Sequence, residues 1–157
     1  MFFMIDVPPA PAIVRVAAET PSAEEQLAAR AQTDGWTPPQ ATALAKLGIA
    51  GMDGTSIAPG TPAFDQAYRQ GRRAVTVLYF DNALQSGKTR LVAFLTVIDL
   101  EKQLAERRGG AAPQYADDWL KAAYVELAQA AARGASSAEQ IEVGFAALRA
   151  QQNKAAK

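Results

Sequence analysis

The chain contains neither cysteine nor histidine. That double absence removes Cys–His nucleophiles, Ser–His–Asp triads and zinc sites built on thiolate or imidazole. It also leaves no disulfide to mark an oxidising compartment. Long apolar runs are missing too. The longest, "LVAFLTVI", spans eight residues between Arg90 and Asp99, where a membrane helix needs roughly 20. The opening "MFFMIDVPPAPA" lacks a basic stretch and carries Asp6, so it does not read as a signal peptide. A soluble intracellular protein with no membrane partner is the expectation.

Charge of either sign is not in excess, with 16 basic against 16 acidic side chains. Proteins that live on nucleic acid usually carry a basic surplus, because phosphate neutralisation supplies most non-specific affinity. The distribution is uneven, however. Residues 1–63 hold three basic groups against six acids, whereas residues 64–108 hold eight against five. What the chain does have is apolar content, 49% of 157 residues, enough for a hydrophobic core and rich in helix-favouring alanine.

Helix starts are clearly written. Ser22-x-x-Glu25 and Ser136-x-x-Glu139 fit capping boxes. Thr37-Pro38-Pro39-Gln40 joins a cap, a first-turn proline and a capping-box partner. Gly48 reads as the C′ stop of the helix that follows. "GMDGTSIAPGT" is dominated by turn formers, and Thr61-Pro62 opens another helix.

Two stripes at helical spacing come next: Phe64, Tyr68, Gly71, Val75, Leu78 and Tyr79, then Leu91, Phe94, Leu95, Ile98 and Leu104. They predict a helical hairpin. The β-branched and aromatic content of "AVTVLYF" and "RLVAFLTVI" supports an alternative, an α+β fold with a β-hairpin at 74–98. Beyond the "RRGGAAPQ" linker, Leu120, Ala123, Tyr124, Leu127 and Ala131, and then Ile141, Phe145 and Leu148, mark two C-terminal helices.

Candidate chemistry is sparse. "SGKT" ends like a phosphate-binding loop, but its first glycine is replaced by Asn82, so Lys88 reads as a solvated turn residue. Adjacent Asp117 and Asp118 point about 100° apart on a helix and suit its positive end. Asp81, Asp99 and Glu101 would meet a metal only if the hairpin gathered them. Trp36, Tyr115 and Trp119 could stack on bases, though aromatics beside helix starts usually pack in cores. We assign no catalytic residue, metal or cofactor. The "RQGRR" group supplies the phosphate-contact candidates Arg69, Arg72 and Arg73, three and four residues apart.

Residues 35–73 resemble the small terminase subunits of tailed phages and related phage helix-turn-helix proteins. The likeness rests on Gly35-Trp36-Thr37, on Leu47-Gly48-Ile49, and on Pro62-x-Phe64-x-x-Ala67-Tyr68-x-x-Gly71-Arg72. "LYFDNALQSGKTRLVAFL" is similar to the passage that starts their oligomerisation region. The resemblance implies a non-enzymatic DNA-packaging subunit in the bacterial host cytoplasm, forming a homo-oligomeric ring that binds double-stranded DNA and delivers it to a large terminase subunit. Thr55 and Ser56 would then read bases.

The expected fold is mainly α: an extended arm at 1–22, a degenerate helix-turn-helix region at 23–73, an oligomerisation hairpin at 74–108, and C-terminal helices at 109–157. Leu78, Tyr79, Phe94, Leu95 and Ile98 exceed what one hairpin buries, so they are expected at a subunit interface. The alternative function is a helical protein-interaction subunit of a secretion, plasmid or phage assembly, without DNA binding.

Overall fold

The computed structural model describes residues 21–52 and 56–156. Among them the chain forms six helices and no strand: α1 (Ala23–Thr33), α2 (Pro38–Ala50), α3 (Pro62–Gln85), α4 (Arg90–Arg107), α5 (Asp117–Ala132) and α6 (Ser137–Ala155). Residues 74–85 and 90–98 are therefore helical, joined by a turn at 86–89, and the β-hairpin alternative is excluded. Their β-branched side chains pack into a core instead of across a ladder, and tertiary burial overrides the local preference. The expected arm lies outside the described residues, apart from Pro21 and Ser22.

The starts form where side chains can satisfy the first orphan amides. The Glu25 amide donates to Ser22 Oγ at 3.1 Å and the Ser22 amide to Glu25 Oε1 at 2.8 Å. Thr37 and Gln40 make the same reciprocal pair at the head of α2. Thr61, Thr89 and Ser136 each accept an amide from three residues on. α5 has no side-chain cap, and Asp117 and Asp118 occupy its first turn, where their charge favours the positive helix end.

α3 has 24 residues, roughly 36 Å at 1.5 Å per residue, and serves two hydrophobic clusters. Its first half, with Phe64, Ala67, Tyr68, Gly71 and Val75, packs with α1, α2 and the Leu100–Leu104 end of α4. Near its C-terminus Phe80 joins Ala93, Phe94, Val97 and Ile98 of α4 with residues of α5 and α6. The antiparallel α3–α4 hairpin thus spans both clusters. α5 lies mainly on α6 and touches α4 only lightly. Arg90 Nη1 donates to Gln140 Oε1 at 2.9 Å, fixing the start of α4 to a buried side chain of α6.

Gly48 corrects one expectation. It does not end α2 but lies inside it, buried against α3, and Gly51 is the C-cap. The requirement for a small side chain comes from the neighbouring helix, not from a left-handed turn.

Candidate functional site

The helix-turn-helix-like region has its first helix but no short second one among the described residues of 51–61. Ser56 stands exposed in irregular backbone, and Thr55 lies outside the described residues. The three arginines do converge. Arg69, Arg72 and Arg73 line one cleft of about 320 Å³ between α3, α4 and α6, but acids face them there. Arg73 Nε lies 3.1 Å from Glu142 Oε2, and Arg72 Nη2 lies 3.8 Å from Glu101 Oε1. Arg72 also sits 5.9 Å from the Trp36 ring centroid. Arg69 makes no ion pair among the described residues.

The three acids that a metal would need together have separate partners. Asp81 accepts from Ser137 Oγ at 2.5 Å, Asp99 accepts from Gln103 Nε2 at 2.8 Å, and Glu101 faces Arg72. Lys88 is exposed in the turn between α3 and α4, and Asn82 remains within α3. No open loop precedes the glycine, as a phosphate cradle would require.

The predicted interface divides. Phe94 and Ile98 are 0% and 3% exposed, so their assignment to a partner is corrected: they fill the chain's own second cluster. Gly144 of α6 makes this possible, because a Cβ there would collide with the Phe94 ring. The Phe145 ring meets Phe94 edge-on, with centroids 5.5 Å apart. Tyr79 is half-buried, and its hydroxyl accepts from Gln40 Nε2 at 2.7 Å. Leu78 is exposed, beside a shallow hollow with Leu47 and Val77.

Leu95 is 38% exposed and lies one turn from Leu91 at 37%. The two line an open groove of about 470 Å³ with Leu120, Tyr124 and Val125 of α5, and Asp117 and Lys121 complete its lining. Val125 is 49% exposed. The helical stripes in the sequence include Leu91, Leu120 and Tyr124 but not Val125. The usable signal was "LVAFLTVI" itself: a helix apolar on every side has a second face to cover.

Comparison with known protein families, curated proteins and solved structures finds no match to this chain.

Proposed function

We propose that the chain is a non-catalytic helical assembly subunit that associates with further copies of itself through the α4–α5 groove. The observation that carries this reading is the contiguous apolar lining of Leu91, Leu95, Leu120, Tyr124 and Val125. Contiguous exposed apolar surface of this kind marks interaction sites. A second copy suits the groove for two reasons. Its lining carries one acid and one base, Asp117 and Lys121, so a self-complementary contact can set opposite charges across the interface. The formal net charge is zero, so copies approach without long-range repulsion.

Phage DNA packaging is a second reading of the same assembly. It is favoured by Arg69 and Arg73, both exposed on α3 within the basic mid-chain segment. A ring would multiply weak phosphate contacts and hand double-stranded DNA to a large terminase subunit. Light-scattering mass, combined with duplex binding across a salt series, tests both. A monomer at tens of micromolar (about the range that saturates a micromolar interface) overturns the assembly reading. An oligomer whose DNA affinity falls with salt supports packaging, and an oligomer indifferent to DNA leaves assembly alone.

A further inference from the structure

The arginines of α3 belong to something larger than a helix face. The cleft they line adjoins a second of about 640 Å³, and the two share Arg72, Glu101, Ile141, Glu142 and Phe145. Together they form one trough bounded by α3, α4, α6 and the segment between α4 and α5. Arg108 and Arg149 enter from the second part, which makes five arginines and two glutamates in a chain with no net charge. Every cation is arginine, whose planar fork matches carboxylate and phosphate oxygens in a way lysine does not.

Much of that donor capacity has no strong internal acceptor. Among the described residues Arg72 lies 3.8 Å from its nearest carboxylate, beyond hydrogen-bond distance, and its buried Nε has no partner. Arg69 and Arg149 make no ion pair among the described residues. Among the described residues Arg108 donates only to the Asp34 carbonyl, at 3.2 Å. Ile141 and Phe145 give the trough an apolar side, and Tyr115 stands at the second part. Burial, followed by the charge of Glu101, raises the Tyr115 pKa, while Arg149 opposes the rise. The hydroxyl is therefore a neutral donor near those charges at physiological pH.

We propose that this trough is a binding site for a small anion attached to an aromatic or apolar body, with the oxyanion held between Arg72 and Arg149 and the body against Phe145 and Ile141. The site is concave, and its volume falls in the range of small-molecule pockets. A duplex would meet the exposed Arg69 and Arg73 from outside, whereas Arg72, with its Nε buried, serves a ligand small enough to enter the recess between the helices. Glu101 and Glu142 would repel a polyanion along the trough but leave room for one compact charged group. The inference is independent of self-assembly, since none of these residues lines the α4–α5 groove.

Calorimetric titration with phenyl phosphate, benzoate and inorganic phosphate tests it on the full chain, with Trp36 fluorescence as a local reporter beside Arg72. Phenyl phosphate or benzoate should bind with Kd below about 1 mM, and whichever is tighter identifies the oxyanion. Inorganic phosphate, lacking the body, should bind more weakly. Arg149→Gln, at an exposed position, should weaken binding about tenfold or more, as expected for a lost charge-assisted contact. Glu101→Gln should tighten binding by removing a negative charge that repels the anion. Both variants should keep the helical content of the parent. The inference is overturned if neither aromatic anion binds, if both variants leave affinity unchanged, or if only a DNA duplex binds.

Discussion

Gly48 of α2 and Gly71 of α3 face each other where the two helices cross. A Cβ on Gly48 would stand 3.5 Å from Gly71 Cα and collide with the Ala67 carbonyl oxygen, and one on Gly71 would collide with the Leu44 carbonyl oxygen. The obstacle on each side is backbone, which cannot swing away. The pair sets how closely α2 lies on α3, and hence where Trp36 sits beside Arg72.

Gly48→Ala and Gly71→Ala should each destabilise the fold by about 1–3 kcal/mol, the usual cost of overpacking a tight contact. Gly110→Ala is the control, since its added Cβ would meet only the Ala105 carbonyl oxygen at 3.5 Å. Its effect should stay within about 0.5 kcal/mol. Urea denaturation followed by circular dichroism measures all three, and equal losses at the three positions would contradict the crossing geometry.

Tyr68 supplies a pH-dependent link between α3 and the end of α1. Its hydroxyl donates to the Asp34 carboxylate, and burial followed by that acid holds its pKa above the ordinary 10. A raised folded value means the contribution is fully present below about pH 10, the unfolded value, and is lost as pH climbs toward the higher folded one. Tyr68→Phe should cost about 1 kcal/mol near neutrality and flatten the alkaline loss of stability. Urea midpoints across an alkaline series should show the wild type falling toward the variant.

Gln40 closes the α2 capping box and reaches a second helix. Its Oε1 accepts from the Thr37 amide at 2.9 Å while its Nε2 donates to the Tyr79 hydroxyl at 2.7 Å. Gln40→Ala loses both contacts and should cost about 1–2 kcal/mol. Gln40→Glu keeps an acceptor for the cap and offers one to the Tyr79 hydroxyl, so thermal denaturation should find it close to the wild type.

Capping chemistry is local, which is why the starts at Ser22, Thr37, Thr61 and Ser136 were legible in the sequence. What lay beyond it depends on a neighbour in space. Gly48 follows a capped helical segment and precedes the apolar Ile49, so it resembles a stop, and only α3 shows that a close approach needs it. Arg69 shares a helix face with Arg72 and Arg73, three and four residues on, as that spacing indicates, yet Glu101 and Glu142 come from distant helices and change that face from an open basic stripe into a partly balanced trough. In "LVAFLTVI" every side of the helix is apolar, so periodicity cannot say which face the chain covers itself. Phe94 turns inward because Gly144 leaves space for its ring, and Leu95, next in the chain, turns out.

That one-residue difference makes the assembly reading testable. Leu95→Lys with Val125→Lys places two charges on the groove at positions that solvent already reaches. Helix content and monomer stability should change little, because exposed side chains keep their water. If a second copy covers the groove, each lysine must be desolvated without a partner, a cost of several kcal/mol, and light scattering should fall to the monomer mass. Phe94→Lys with Ile98→Lys should behave oppositely. Those side chains are enclosed by α3, α5 and α6, and removing a buried phenylalanine alone costs about 3–5 kcal/mol, so circular dichroism should report unfolding. A folded monomer from the Phe94 and Ile98 pair would show that these residues face a partner after all. An unchanged mass from the Leu95 and Val125 pair would move the interface elsewhere, with exposed Leu78 and its neighbours Leu47 and Val77 next to be tested.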